Sequence, residues 1–87
     1  MDEVLILKAL ADETRIGIVR FLLSGEKNAG QIVKSAKKSQ PNTSLAIRQL
    51  LMSNILVQEK HGREIHYRLK RPESVRKVLR TIEELGR

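Results

Sequence analysis

Hydrophobic residues recur with a helical period over most of this chain. Asp12, Asn28 and Ser39 stand where the second, third and fourth helices are predicted to begin, and their side-chain oxygens suit the unpaired backbone N–H groups of a helix start. Gly25 and Asn54 stand where the second and fourth helices end, because both residue types tolerate left-handed backbone. The first four predicted helices cover residues 2–11, 12–24, 28–38 and 39–54.

The hydrophobic pattern changes after the fourth helix from a helical to an alternating period. Two β-rich runs, residues 55–60 and 65–69, flank a turn that contains Gly62, and together they predict a β-hairpin. Pro72 then begins a last helix, which is predicted to reach residue 86. Helices three and four, joined by a short turn and followed by the hairpin, form a winged helix-turn-helix pattern. The expected fold is mainly α with a small β-hairpin wing, in the order α-α-α-α-β-β-α.

The chain of 87 residues has room for one domain, which we expect to span residues 1–87. A chain this short buries only about 60% of the surface that it exposes when unfolded, and a partner subunit often supplies the missing stability. The last helix has a continuous apolar stripe, which serves either the core or a dimer interface. We favour the interface, because four helices and a wing already supply a small core. Its predicted residues, on dimerisation helices at 2–11 and 72–86, are Val4, Leu7, Val75, Val78, Leu79, Ile82 and Leu85.

Basic residues outnumber acidic residues, and the excess lies in the middle of the chain. The 17 Lys and Arg residues exceed the 10 Asp and Glu residues, which gives a net charge of +7. Residues 27–71 contain ten of the basic and two of the acidic residues, a net charge of +8. This concentration is typical of a polyanion-binding protein. Nucleic acid is the first candidate, an anionic membrane surface the second, and simple solubility the alternative.

Composition excludes several other functions. Aromatic residues make up 2% of the chain, too few for a module that stacks bases on exposed rings. The chain has no cysteine, which excludes disulfides, thiolate metal sites and cysteine nucleophiles and favours a reducing cytoplasm. No apolar run approaches the roughly 20 residues of a membrane span, and the acidic start is unlike a secretory signal, so we expect the whole chain to be the mature protein. No motif predicts an enzyme.

Helix four is predicted to pack one face inward, with Thr43, Ile47 and Leu50, and to present the other face to DNA. Amide, hydroxyl and guanidinium side chains suit base edges and flanking phosphates in the major groove. Thr43 is equally suited to packing inside the helix pair, and Leu45 suits either a thymine methyl group or another protein. The residues predicted to contact DNA from this helix are Gln40, Asn42, Thr43, Ser44, Leu45, Arg48 and Gln49.

A second set of residues suits the phosphate backbone, where basic side chains add affinity without sequence information. His61 and His66 are five residues apart on the hairpin, and alternation along a strand predicts that their side chains point to opposite faces. A metal or acid–base pair is therefore not expected there, and His61 is predicted to be a contact at the wing tip. The full set, from the turn before helix four and from the wing, is Lys37, Lys38, Ser39, Lys60, His61, Arg63 and Arg68.

Three segments of the sequence resemble, in the same order, segments of a known protein family. Leu7 to Ile16 has the sequence LKALADETRI, and Ser39 to Ser44 has the sequence SQPNTS. The second segment is followed, without a gap, by Ile47, Leu50 and Ile55-Leu56-Val57, and the wing contains Gly62-Arg63 and Tyr67-Arg68-Leu69. These segments resemble the opening signature, the recognition helix and the wing of the ArsR-type winged-helix repressors.

The resemblance implies a DNA-binding transcriptional regulator that acts as a homodimer, with the first and last helices at the dimer interface. Metal-sensing members have a Cys-x-Cys pair at the entrance to the third helix, where this sequence has Asn28, Ala29 and Gly30. The last helix has neither Asp nor His, so a second common sensor site also lacks its ligands. We therefore predict a cytoplasmic, homodimeric repressor that binds double-stranded DNA. We expect it to have no metal, no cofactor and no membrane partner. The alternative is a winged-helix module that binds another protein.

Overall fold

The computed structural model describes residues 3–87, so Asp2 of the predicted first helix lies outside the described residues. The predicted winged helix-turn-helix fold is confirmed, because a helix pair is followed directly by a hairpin. No helix among residues 3–87 is long and apolar enough to cross a membrane. The elements are α1 (Glu3–Leu10), α2 (Glu13–Leu22), β1 (Lys27–Asn28), α3 (Ala29–Ala36), α4 (Gln40–Met52), β2 (Leu56–His61), β3 (Glu64–Leu69) and α5 (Pro72–Leu85).

Side-chain caps begin three of the helices at the predicted residues. The Asp12 carboxylate accepts a hydrogen bond at 2.9 Å from the backbone N–H three residues further on, at the start of α2. Asn28 and Gln31 exchange side-chain to backbone hydrogen bonds at the start of α3, which makes a capping box. The Ser39 hydroxyl accepts a bond at 3.3 Å from the backbone N–H of Asn42 and begins α4. Each cap satisfies a donor that the helix itself leaves unpaired.

Residues with left-handed backbone follow α3 and α4. Asn54, with a φ of 62°, stands in the predicted place after α4. Lys37 has a φ of 55° and forms the C-cap of α3, so that helix ends at Ala36 and not near residue 38 as predicted. Lysine gives no sequence signal for this conformation, because its side chain disfavours left-handed backbone. The early end of α3 turns the chain toward α4.

The wing belongs to a three-stranded antiparallel sheet with the strand order β1-β3-β2. β2 and β3 pair from Leu56 opposite Leu69 to His61 opposite Glu64. Gly62 lies in the turn between them with a φ of 64°, a conformation that glycine adopts without strain. Strand β1 was not predicted, because two residues have no period of their own and form a strand only by pairing with β3.

α2 lies at the centre of the fold and contacts α1, α3, α4 and β3. The wing contributes to the same core through Leu56 and Leu69 at its base. Burial of these side chains is the main stabilising contribution to the fold. The buried core includes Ala9, Leu10, Ile18, Val19, Leu22, Ile32, Ala46, Ile47, Leu50, Ile55, Leu56, Leu69 and Leu79.

The apolar stripe of α5 is divided between the core and the surface, which corrects part of the predicted dimer interface. Leu79 is 2% exposed, and Val75 packs against the core beside it. Val78, Ile82 and Leu85 are 42%, 40% and 81% exposed. The stripe is wider than one helix face, since consecutive residues such as 78 and 79 lie about 100° apart around the axis. Leu79 and Val75 therefore stabilise the monomer, and the other three remain for an interface.

Candidate nucleic-acid interface

The helix α4 has an inward and an outward face, and the outward face contains most of the predicted contacts. Thr43, Ala46, Ile47 and Leu50 are buried. Pro41 near the start costs no hydrogen bond, because its missing N–H is one that the helix leaves unpaired. The exposed residues with predicted DNA contacts are Gln40, Asn42, Ser44, Leu45, Arg48 and Gln49.

Thr43 was predicted either to contact DNA or to pack inside the helix pair, and the structure supports the packed alternative. Its side chain is 0% exposed, and its hydroxyl donates a hydrogen bond at 3.0 Å to the backbone carbonyl of Ser39. A threonine can satisfy its hydroxyl against the preceding turn while its methyl group packs inward. Thr43 therefore holds the start of α4 in place and cannot reach a base edge.

Gln49 is exposed, but an arginine of α2 holds its side chain. Arg15 Nη1 donates to Gln49 Oε1 at 2.7 Å, and the same guanidinium donates to the backbone carbonyls of Ala9 at 2.7 Å and Lys8 at 3.1 Å. A cation suits these carbonyls, because they lie in the last turn of α1, at the negative end of the helix dipole. Arg15 therefore links α1 to α4. This role of Arg15 was not predicted, although Arg15 lies within the segment that resembles the family signature.

The turn between α3 and α4 presents two lysines and a capping serine. Lys37 and Lys38 are both exposed. Ser39 accepts the N–H bond that begins α4, and a hydroxyl that accepts one bond can still donate its hydrogen to a phosphate oxygen. The start of a helix also favours anions, because its free N–H groups point outward. The predicted contacts in this turn are thus accessible to a nucleic-acid backbone.

The two faces of the wing differ in character, because alternate residues point to opposite sides. The inner face packs Leu56, Tyr67 and Leu69 against the core and continues to exposed Lys60 and Ile65 near the tip. The opposite face, named here the outer face, consists of Val57, Glu59, His61, Glu64, His66 and Arg68. The three acidic and basic residues of the outer face other than histidine, Glu59, Glu64 and Arg68, all form side-chain contacts on that face.

Arg68 lies on the outer face and is paired with an acidic neighbour. Its Nε donates to Glu59 Oε1 at 2.8 Å. This hydrogen bond and the charge of the guanidinium lower the pKa of the Glu59 carboxyl below its ordinary value, and nearby His61 adds a smaller lowering. Because the Glu59 carboxylate offsets the charge of the Arg68 guanidinium, Arg68 attracts a phosphate less strongly than an unpaired arginine does. Arg68 is therefore not part of the surface proposed below.

His61 and His66 point to the same face, so the predicted opposite orientation is wrong. The strand register places His66 opposite Glu59, and Glu59 lies two residues before His61 on the same side of β2. Parity counted along one strand does not extend across a turn, because the pairing register decides which residues share a face. The two ring centroids are 4.7 Å apart. His61 thus belongs to a cluster on the outer face.

Among the exposed basic side chains that form no ion pair with any residue in the described part of the chain, 3–87, five lie on the elements with the predicted DNA contacts. They stand on the turn before α4, on the outward side of α4, near the wing tip and in the wing turn. Arg15, Arg20, Arg68 and Arg76 differ from them, because each has a carboxylate within 4.0 Å. The five residues, named here the basic surface, are Lys37, Lys38, Arg48, Lys60 and Arg63.

Exposed apolar side chains concentrate on α1 and α5. α1 contributes Val4, Leu5 and Leu7, which are 55%, 48% and 61% exposed. α5 contributes the three residues given above. Of the other large apolar side chains, Leu45 and Met52 on α4 are 50% and 74% exposed. The predicted interface residues Val4, Leu7, Val78, Ile82 and Leu85 thus lie at the surface of the monomer.

Comparison with known proteins relates this chain to bacterial regulators. Residues 12–56 match the family described as bacterial regulatory protein, arsR family. The arsenical resistance operon repressor of Escherichia coli (strain K12) is 40% identical over 65 residues, which cover 74% of this chain and 56% of that protein. The probable mercury resistance operon repressor of Streptomyces lividans is 32% identical over 60 residues, which cover 69% and 48%. The chain spans about half the length of these curated relatives.

The fold is also similar to solved structures. The crystal structure of the transcriptional repressor BigR from Xylella fastidiosa has a TM-score of 0.79 and 27% sequence identity. The similarity covers 91% of this chain and 83% of that one. It therefore includes the helix-turn-helix together with most of the remaining elements.

Proposed function

This chain belongs to the arsR family of bacterial regulatory proteins, and on that premise we propose that it is a DNA-binding transcriptional repressor. The basic surface is the observation that carries the proposal. Its five cations lie on the elements that a winged helix-turn-helix lays against a duplex, and they lack acidic partners within residues 3–87. Unpaired cations are available to neutralise phosphates. The names of two relatives, both operon repressors, support repression as the direction of control.

We propose that α4 enters the major groove with Asn42, Ser44 and Arg48 toward the base edges. An asparagine suits adenine and an arginine suits guanine, because each can form two hydrogen bonds with that base. Leu45, exposed beside them, suits a thymine methyl group. Gln49 has its side-chain oxygen engaged by α2 and keeps its amide hydrogens for an acceptor on the DNA.

We propose that the repressor is a homodimer held by the exposed apolar residues of α1 and α5. Two-fold symmetry lets the same patch of both subunits bury its own counterpart. Burial of Val78, Ile82 and Leu85 in this way removes apolar surface from water, which is the main driving force of such association. The two α4 helices then enter successive major grooves, about 34 Å apart. The proposed location is the cytoplasm, where a bacterial repressor meets its operator.

The salt dependence of DNA binding tests the basic surface. Log affinity falls with log salt concentration by about 0.9 for each phosphate that the protein neutralises. Replacing Lys38 or Lys60 by Gln in both protomers removes two such contacts, so each substitution is expected to reduce the slope by about 1.8. The measurement is the affinity for a fixed duplex, determined by fluorescence anisotropy at several salt concentrations.

Lys77→Gln is the matched control for these substitutions. Lys77 is an exposed lysine of α5, outside the basic surface. We expect its replacement to leave the slope unchanged, although it removes the same charge from the protein. Equal changes in slope for Lys77→Gln and for the two test variants would show that the basic surface is not the phosphate-binding surface.

A second candidate function is the binding of another protein through α4. The observation that favours it is the exposure of Leu45 and Met52, which lie seven residues apart and so share one side of α4, since an exposed apolar patch marks a protein contact. Leu45→Ala distinguishes the two functions. A contact between Leu45 and thymine predicts weaker binding of DNA with a thymine at that position, and a protein-binding role predicts unchanged DNA affinity.

We propose that DNA binding is not regulated through either of the two metal sites that are common in the family. Asn28 supports this at the entrance to α3, where it forms a capping box with Gln31. Amide caps are weak metal ligands compared with thiolates. The lack of a cofactor stays a prediction.

A further inference from the structure

Two histidines of the outer face lie next to a carboxylate from the loop between α2 and β1. Glu26 Oε2 is 3.0 Å from His66 Nδ1 and 3.5 Å from His61 Nε2. All three potential ligand atoms lie within 4.8 Å of one another. We propose that Glu26, His61 and His66 bind a divalent late transition-metal ion of the Zn²⁺ type.

The distances fit such an ion. Zn²⁺ bonds of about 2.0–2.1 Å in tetrahedral geometry place neighbouring ligand atoms about 3.3 Å apart. The two distances from the Glu26 oxygen, 3.0 Å and 3.5 Å, lie on either side of that value. The nitrogens of His61 and His66 lie within 4.8 Å of one another, and the exposed ring of His61 has room to change its orientation.

A carboxylate behind His66 holds its ring in the orientation that metal binding requires. His66 Nε2 is 3.2 Å from Glu64 Oε1, on the opposite side of the ring from Glu26. When Nε2–H donates to Glu64, the lone pair of Nδ1 points toward Glu26 and the proposed ion. Metal-binding histidines usually donate their second N–H to a carboxylate or carbonyl in this way. Glu64 is therefore a positioning residue for His66.

Charge on the outer face also favours a cation. Glu26, Glu59 and Glu64 surround the two imidazoles, and Arg68 is the cation paired with one of them. Two neutral imidazoles with one carboxylate suit Zn²⁺ and its neighbours in the first transition row, whereas Mg²⁺ and Ca²⁺ prefer oxygen ligands alone. Because the cluster is open to solvent, water can fill the fourth position.

The proposed ligands differ from those of the two sensor sites at the start of the third helix and on the last helix, although the cluster lies beside the first of these, where Asn28 pairs with His66. The proposed ligands come from two parts of the fold, because Glu26 precedes β1 and the histidines belong to β2 and β3. A bound ion therefore links the outer half of the wing to the loop after α2. We expect the wing amides to exchange hydrogen more slowly when the ion is bound.

Zn²⁺ binding to the full chain without an affinity tag tests the site. We expect calorimetry to give one ion per chain, and Co²⁺ to give the visible absorption of a tetrahedral complex. Amide resonances of Glu26, His61 and His66 should shift on addition of Zn²⁺. His66→Ala should remove this binding, and Glu64→Gln should weaken it by roughly 10- to 100-fold, the usual loss for a residue that orients a metal ligand.

Glu13→Gln is the control, because Glu13 is an exposed carboxylate of α2 outside the cluster. It should bind Zn²⁺ as the unchanged protein does. Circular dichroism establishes that each variant is folded, and His61→Ala replaces His66→Ala if the latter is not. The site is disproved if Zn²⁺ does not bind, or if it binds equally to the folded histidine variants and to Glu13→Gln.

Discussion

Replacing Leu50 by Ala is expected to lower the free energy of unfolding by about 2–5 kcal/mol. Leu50 is a residue of α4, is 0% exposed and belongs to the core that α4 shares with α2. The shorter side chain leaves a cavity and buries less apolar surface. A domain of this size has a total stability of only about 5–15 kcal/mol. Each kcal/mol corresponds to about 4–8 °C in the midpoint of thermal unfolding, and calorimetry at one fixed protein concentration measures the change.

Leu45→Ala is the matched control, because it removes the same atoms from the same helix. Leu45 is 50% exposed, and alanine favours helices slightly more than leucine does. We expect a change of less than about 0.5 kcal/mol in the free energy of unfolding. Similar losses for the two substitutions would contradict the assignment of the inward and outward faces of α4.

Ile82→Asp is expected to weaken the proposed homodimer at least about 100-fold, or about 2.7 kcal/mol. The proposed interface places Ile82 of both protomers in an apolar contact, where a carboxylate loses its hydration without gaining a partner. Sedimentation velocity over a range of concentrations should show a dimer for the unchanged chain and a monomer for the variant. Leu85→Asp, at a residue that is 81% exposed, provides a second variant with little effect on the core.

Arg80→Asp introduces a carboxylate on the opposite side of α5, and it should leave the dimer intact. Arg80 and Ile82 are both exposed, but about 160° separates them around the helix axis. Dimers that persist in both Ile82→Asp and Leu85→Asp would exclude α5 as the interface. Dissociation by all three substitutions would indicate an effect of charge alone.

Local signals made most of the fold predictable from the sequence. Asp12, Asn28 and Ser39 each cap the helix that they were predicted to begin. Asn54 and Gly62 have the left-handed backbone for which their residue types were selected. These features depend on a few neighbouring residues, so the chain need not be folded in order to recognise them.

Contacts between segments that are distant along the chain could not be predicted from the sequence. β1 forms only by pairing with β3, and Arg15 reaches Gln49 across 34 positions. The common face of His61 and His66 depends on the register of two strands, which a count along one strand does not contain. Leu79 shows the same limit in a helix, because an apolar stripe does not reveal which of its residues face the core and which remain exposed.

Selection of bound duplexes from a random DNA library tests the central claim most directly. The proposed homodimer predicts an enriched sequence with two inverted half-sites, centred about one helical turn apart, that is about 10–10.5 base pairs or a multiple of it. Arg48 and Arg63 are exposed and outside the core, so their joint replacement by Ala should leave a folded protein that no longer enriches this sequence. An unchanged enrichment by the folded double variant, or no enriched sequence for the unchanged chain, would contradict the account.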